Sequence, residues 1–90
     1  FAQRLRPHKI SVTACHPGDV NSTLSNNLGF GGHETADQGA ETPVWLATAP
    51  NGMGKTGKYF EHRRETRCRF AEDSQAVEAL YETCRGYAGP

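Results

Sequence analysis

The sequence predicts an α/β fold in which short strands alternate with helices along an open sheet. Three observations predict this class. An alternating apolar run lies at residues 9–15, a capping box opens a helix-periodic segment at 35–48, and a second strand-like run follows at 57–62. Two strands separated by one helix suit a parallel pair joined by a crossover connection. Because such a pair leaves sheet edges and faces open, we expect neighbouring elements that these residues do not supply.

The length and charge of the chain limit the classes of protein that it can represent. Ninety residues can form one small domain, but a chain of this size buries only a modest share of its surface. Ten Lys plus Arg balance ten Asp plus Glu, so no global field favours nucleic acid or an anionic membrane. The chain starts at Phe1 without an initiator Met, and residues 1–8 are typical of the end of a helix. We therefore expect the C-terminal piece of a longer protein.

The cysteines and the hydropathy indicate a cytoplasmic location. Cys15, Cys68 and Cys84 are an odd number at wide spacing, which is typical of reduced thiols rather than of a disulfide framework. No apolar stretch has the length of a membrane span or the pattern of a secretory signal.

The first strand leads into the most informative segment of the chain. Residues 9–15 carry Ile10, Val12 and Ala14 in alternation and end before a His-Pro-Gly turn. Residues 16–34 then hold four glycines, three asparagines and no apolar periodicity, which predicts a long loop. Such a loop places backbone amides and small hydroxyls at the carboxyl end of a strand, where open α/β sheets bind ligands.

A helix and a second strand follow this loop. Thr35-Ala36-Asp37-Gln38 matches the capping box and opens the helix at 35–48. Pro43 either bends that helix or marks its first turn. Residues 57–62 then form the second strand.

The last predicted helix, residues 74–85, is amphipathic and needs a partner surface. Asp73 or Ser74 is its N-cap, and Gly86 follows its end. Its apolar face comprises Ala76, Val77, Leu80, Tyr81 and Cys84.

One basic cluster, residues 62–69, contains four arginines. Aromatic residues do not alternate with the arginines as a stacking surface for nucleic acid requires, so a solvated turn balanced by Glu72 and Asp73 is favoured. The four histidines are scattered without ligand-like spacing. We therefore expect no nucleic-acid partner and no metal site.

Three ordered blocks of the chain resemble a known family. Residues 6–22, 39–47 and 54–60 are similar to the C-terminal third of the short-chain dehydrogenases/reductases, nearest to their carbonyl-reductase and retinol-dehydrogenase-like branches. The resemblance implies a Rossmann-type doubly wound parallel sheet, of which these residues form the late strands and helices. It also implies NAD or NADP as cofactor and a hydride transfer that reduces a carbonyl or oxidises an alcohol.

The resemblance assigns cofactor contacts around the turn. Pro17 and Gly18 form the turn, and Val20 offers its backbone to the nicotinamide carboxamide. Ser22 takes the usual Thr position of the family, where a hydroxyl contacts the carboxamide or the diphosphate, and Thr23 is a second candidate. Glycine lets a backbone approach a flat ring, and a small hydroxyl both donates and accepts hydrogen bonds, so the residue types agree with these roles.

The resemblance also assigns the substrate side. The segment 24–34 corresponds to the loop that closes over the substrate, with Leu24, Leu28 and Phe30 as candidate contacts. His16, at the end of the strand, is a further candidate, and a structural, hydrogen-bonded histidine is the alternative. Dehydrogenases of this type pair through their late helices, which implies a homo-oligomer.

The departure from the family restricts the expected activity. The chain lacks the glycine-rich dinucleotide motif and the catalytic Tyr-x-x-x-Lys pair. Tyr81 and Arg85 have that spacing with Arg in place of Lys, but Tyr81 belongs to an apolar helix face, so a packed tyrosine is favoured. These residues are therefore expected to be inactive alone, and any activity belongs to the parent protein. The alternative is a non-catalytic interaction or regulatory module derived from a truncated scaffold of this type.

Overall fold

A three-stranded sheet with one helix across one face forms the centre of the computed structural model, which describes residues 1–48, 50–52 and 54–89. The described elements are α1 (Ala2–Leu5), β1 (Ala14–His16), α2 (Thr23–Asn27), α3 (Ala36–Ala47), β2 (Tyr59–Glu61), β3 (Arg64–Thr66) and α4 (Ser74–Ala88). Short 3₁₀ turns lie at Arg6–His8 and Phe70–Glu72. The chain is therefore a mixed α/β structure.

The sheet has the strand order β1-β2-β3. β1 and β2 are parallel, with Ala14 opposite Tyr59 and His16 opposite Glu61. The predicted parallel pair joined through a helix is confirmed, because α3 lies between β1 and β2 in the sequence. The carboxyl ends of both strands lie at the same edge of the sheet.

The first strand is shorter than the predicted 9–15 because its partner turns away. The Val12 N–H donates to the Thr56 side-chain oxygen (3.0 Å), and the Val12 carbonyl accepts from the Gly57 N–H (2.8 Å). Gly57 has a φ of 79°, so β2 cannot extend back past it. A regular ladder therefore begins only at Ala14, and Ile10 remains 49% exposed.

The hairpin between β2 and β3 is absent from the sequence prediction. His62 and Arg63, the two residues between the strands, have φ values of 50° and 61°, as in the tight turns that match the twist of a hairpin. The interpretation of the basic cluster as a solvated turn is wrong for Arg64–Thr66, which form a strand. Two charged residues in three hide this strand from a propensity argument.

The α3 helix begins as the sequence predicts. The Thr35 hydroxyl accepts from the Gln38 N–H (3.1 Å), and the Gln38 side chain accepts from the Thr35 N–H (2.8 Å). Pro43 lies inside the helix, so it does not mark the first turn. The missing N–H of a proline removes one helical hydrogen bond, and contacts of α3 with the sheet must offset that loss.

Those contacts lie along one face of α3. A Cβ on buried Gly39 would overlap the Val20 side chain, so the helix approaches Val20 closely. Three residues on, the Thr42 hydroxyl, 5% exposed, accepts the Arg63 N–H (3.1 Å). Trp45 then packs edge-on against Phe60 with ring centroids 5.8 Å apart. Phe60, 2% exposed, is the only fully buried large side chain among the described residues.

The α4 helix is longer than predicted and loosely covered. Asp73 caps it through the Ala76 N–H (3.1 Å), and it passes through Gly86 to end at Ala88. Tyr81 is packed, with the Phe1 ring 5.6 Å away edge-on and the Arg4 guanidinium 3.6 Å from its centroid. Leu80 nevertheless remains 52% exposed, so much of the apolar face has no cover within the described residues.

Candidate functional site

The predicted turn lies at the carboxyl end of the parallel strand pair. β1 ends at His16, and Pro17 and Gly18 follow directly at the carboxyl edge of the parallel pair. Gly18 has a φ of 90°, a conformation that side chains other than glycine rarely adopt. The turn therefore depends on glycine at this position.

His16 holds the turn in place. Its Nδ1 accepts a hydrogen bond from the Gly18 N–H (2.9 Å). A ring nitrogen that accepts carries no hydrogen, so Nε2 carries it in the neutral ring. The side chain is exposed, and its Nε2–H remains a donor for a ligand. This hydrogen bond supports the structural role predicted for His16. A contact with substrate through Nε2 stays a prediction.

A parallel bridge between Val20 and Glu34 closes the loop at its base. The Asn21 N–H donates to the Glu34 carbonyl (2.7 Å), and the Glu34 N–H donates to the Asp19 carbonyl (3.0 Å). In this pattern the N–H and carbonyl of Val20 itself point the other way. No hydrogen bond among the described residues uses them, but Gly32 lies against the Val20 carbonyl, so the N–H is the group left to pair with a ligand.

The base of the loop is also tightly packed. A Cβ on Gly32 would overlap the backbone of Val20 and Asn21. The end of the loop therefore packs directly against its beginning. The Val20 side chain packs on Gly39 of α3. Three neighbouring segments therefore fix the position of the Val20 backbone.

Ser22 is the N-cap of α2, a role that sequence reasoning did not assign. Its hydroxyl accepts from the Ser25 N–H (3.1 Å), and the Ser22 N–H donates to the Ser25 hydroxyl (2.9 Å). The Ser22 hydroxyl also donates to the Ser25 hydroxyl (3.3 Å), so its hydrogen is used within the capping box. A ligand contact by Ser22 therefore replaces that bond or uses the remaining lone pair of the hydroxyl oxygen. Thr23, the first residue of α2, is exposed.

The tip of the loop is a short helix rather than the irregular chain that was predicted. The Gly29 N–H donates to the Asn26 carbonyl (3.1 Å), and the Phe30 N–H donates to the Ser25 carbonyl (2.8 Å), which is the Schellman pattern. The three candidate substrate contacts are exposed here: Leu24 by 69%, Leu28 by 63% and Phe30 by 67%. Leu24 therefore lies within the capped helix α2, and Leu28 and Phe30 lie at and just beyond its carboxyl end.

A polar group lies on the sheet face opposite α3. Phe60 faces α3, so Tyr59 and Glu61 face away from it, beside His16. The Tyr59 hydroxyl donates to the Glu61 carboxylate (2.7 Å), and this hydrogen bond raises the pKa of Tyr59 above its usual value. The hydroxyl is therefore protonated at neutral pH.

A cleft between β1 and α3 lies away from the turn. It has a volume of about 480 Å³ and is lined by Thr13, Cys15, Leu46 and neighbouring residues. A smaller one of about 220 Å³ lies beside the Val20–Glu34 bridge. Neither cleft is lined by Pro17 or Gly18, and Gly18 is half-buried beside the Glu34 side chain, so the described residues around the turn form no closed pocket.

Several further properties bear on the class of site. In the described ranges, no three His, Cys, Asp or Glu side chains are grouped as a metal would need. All three cysteines are free thiols. Within the same ranges, no helix has both the length and the apolar character to cross a bilayer.

Sequence reasoning missed the residues that hold the site together. Gly32, Gly39 and Glu34 contact the Val20 backbone, the Val20 side chain and Gly18, respectively. Their partners are 12, 19 and 16 positions away in the chain, respectively. No local pattern encodes such contacts, and the glycine content of the loop was the only signal for them.

Comparison with known proteins gives one distant similarity. The chain is 28% identical over 78 residues to human (Homo sapiens) retinol dehydrogenase 14, an alignment that covers 72% of this chain and 23% of that protein. No family model and no solved structure matches the chain. The comparison supports a distant relationship to the short-chain dehydrogenases/reductases, and the chain spans about a quarter of the length of the relative it matches.

Proposed function

We propose that these residues form the nicotinamide-side turn and the substrate loop of an NAD(P)-dependent oxidoreductase of the short-chain dehydrogenase/reductase type. The observation that carries the proposal is the position of Pro17 and Gly18. They lie directly beyond the carboxyl end of β1, at the edge where β1 and β2 end in parallel. Open α/β sheets bind ligands at this edge.

The backbone and side chains behind the turn fit one end of the cofactor. The unpaired N–H of Val20 complements the carbonyl of a carboxamide, and the Ser22 hydroxyl can contact the cofactor by exchanging its 3.3 Å bond to the Ser25 hydroxyl. The nicotinamide, when bound, supplies or accepts the hydride. Pro17, Gly18, Val20, Ser22 and Thr23 are thus the proposed cofactor contacts.

The remaining sheet and chemistry belong to the parent protein in this proposal. The edge of β1 away from β2 pairs with no strand among the described residues, and a Rossmann-type sheet adds its neighbouring strand there. Tyr81 is packed under Arg4 and Phe1, so it does not serve as the catalytic tyrosine. We propose that the parent supplies the Tyr-x-x-x-Lys pair and the glycine-rich motif.

The substrate side of the proposal rests on the loop tip and His16. Leu24, Leu28 and Phe30 present apolar surface at the end of a loop whose base carries the cofactor contacts. The Nε2–H of His16 is a donor suited to a carbonyl or alcohol oxygen. The proposed substrate is therefore a carbonyl or alcohol with an apolar body. We also propose a homo-oligomer that covers the exposed face of α4.

A pair of serine variants tests the cofactor assignment. Ser22→Ala and Ser25→Ala each break the same capping box, but only the first removes the proposed cofactor hydroxyl. In the full-length protein, titration with NAD and NADP should show weaker binding for Ser22→Ala alone. One lost hydrogen bond corresponds to about 0.5–1.5 kcal/mol, or roughly a 2- to 12-fold higher Kd.

Equal effects of the two serine variants would show that Ser22 acts only as a helix cap. Failure of the unaltered protein to bind either dinucleotide would overturn the proposed function itself. That result would support the second candidate, a non-catalytic interaction or regulatory module. The observation that favours this alternative is the exposed apolar face of α4, on which Leu80 is 52% and Val77 38% exposed.

A further inference from the structure

The carboxylate of Glu34 lies against the turn proposed to hold the nicotinamide. A Cβ built on Gly18 would overlap both carboxylate oxygens of Glu34, so this side chain occupies the space beside the Gly18 Cα. Glu34 is 16 positions further along the chain and arrives there only because the loop folds back.

The backbone of Glu34 is fixed in that position. Its N–H donates to the Asp19 carbonyl (3.0 Å), and its carbonyl accepts from the Asn21 N–H (2.7 Å). Both partners belong to the segment that carries the proposed cofactor contacts. The carboxylate therefore stays within one side-chain length of the turn whatever rotamer it adopts.

The charge of Glu34 has no cation to neutralise it among the described residues. The ion pairs found there join Arg4 to Glu78, Arg67 to Glu72 and Arg85 to Glu82. No side-chain hydrogen bond to Glu34 is found there either, and the residue is half-buried. Asp19, beside Gly18, adds a second, exposed carboxylate. The field at the turn is therefore negative.

This field distinguishes the two redox states of a nicotinamide. The oxidised ring carries a positive charge and the reduced ring is neutral, while the rest of the dinucleotide is unchanged. A nearby carboxylate attracts the first and has no net Coulomb interaction with the second. We propose that Glu34 sets a binding preference for the oxidised over the reduced cofactor. This inference rests on the proposed function.

Isosteric removal of the charge tests the role of Glu34. In the full-length protein, Kd values for the oxidised and reduced cofactor are measured for the unaltered chain and for Glu34→Gln. The ratio of the two Kd values should shift toward the reduced form by about six-fold, for a separation of roughly 8 Å at an effective dielectric constant of about 40. Glu65→Gln is the control, because Glu65 is an exposed carboxylate on β3, two strands from β1.

Each outcome separates the inference from the proposed function. If both cofactor forms bind and Glu34→Gln leaves their ratio unchanged, the inference is wrong and the proposed function stands. Equal weakening or tightening of both forms also overturns it, since that result indicates a steric role. If neither form binds the unaltered protein, the proposed function fails. A salt titration of the unaltered protein gives a second readout, because a charge effect shrinks as ionic strength rises.

Discussion

The base and the tip of the loop after β1 are built in opposite ways. At the base, Val20 and Glu34 form a backbone bridge, and Gly32 lies directly against the Val20 backbone. At the tip, Leu24 and Phe30 are more than 60% exposed, at 69% and 67%. The same short segment thus combines a fixed backbone with apolar side chains that contact solvent.

In the proposed function, this difference separates two tasks within one loop. A backbone that holds a flat ring must keep its position, because hydrogen-bond strength falls steeply with misalignment. A surface that closes on an apolar substrate must instead leave its side chains uncovered until the substrate arrives. Pairs of substitutions test this difference. In each pair, one residue lies at the base, in the core that packs under it or at the tip, and the other lies elsewhere.

The largest expected effect is on the core between α3 and the sheet, on which the base of the loop rests. Phe60→Ala removes the side chain that packs on Trp45, and a fully buried Phe costs about 3–5 kcal/mol of unfolding free energy when truncated. Phe30→Ala makes the same chemical change at the exposed tip, where we expect about 0.5 kcal/mol or less. Denaturant unfolding of the full-length protein measures both. Equal losses would show that the tip is packed as firmly as the core.

Two adjacent glycines give the next contrast. A Cβ at Gly32 meets the backbone of Val20 and Asn21, whereas a Cβ at Gly31 meets nothing within 4 Å. Gly32→Ala should therefore cost about 1–3 kcal/mol, as overpacking does, and should weaken cofactor binding by moving Val20. Gly31→Ala should leave both stability and affinity nearly unchanged. Retained affinity in Gly32→Ala would show that the bridge does not position the cofactor contact.

The smallest expected effect concerns the substrate. Leu28→Ser at the tip should leave unfolding unchanged but raise KM for an apolar carbonyl substrate, by about five-fold if roughly 1 kcal/mol of apolar contact is lost. Ile10→Ser, at a 49% exposed position outside the loop and outside α4, is the control. Steady-state kinetics with apolar and polar carbonyl substrates provide the measurement. A KM that rises equally for both substrates would argue against an apolar contact by Leu28.

Local patterns predicted the elements whose signals are local. The Thr35–Gln38 capping box identified the start of α3 because both partners lie within one helical turn. The Pro-Gly turn was likewise recognised from adjacent residues and lies at the carboxyl end of β1. The roles assigned to Val20, Ser22 and the substrate contacts remain predictions.

Elements fixed by distant contacts were missed or misplaced. β1 is short because Thr56 substitutes a side-chain oxygen for a ladder carbonyl, which the apolar alternation at Ile10 and Val12 does not encode. β3 depends on a turn whose residues, His62 and Arg63, lack the usual Asn-Gly signal. Thr42 supplies a hydrogen bond to that turn from across the sheet. Tertiary contacts overrode the local propensity in each case.

The double capping of α2 determines how the loop tip can move. Ser22 closes the amino end of the helix, and Gly29 and Phe30 close its carboxyl end, so these terminal groups are paired without help from the rest of the protein. One further hydrogen bond, from the Asn26 side-chain amide to the Asn21 side-chain oxygen (2.8 Å), ties this segment to the base of the loop. Any movement of the tip therefore has to break this one bond while both caps stay intact, and exposed Gly31, where a Cβ would meet nothing within 4 Å, offers no packing against it.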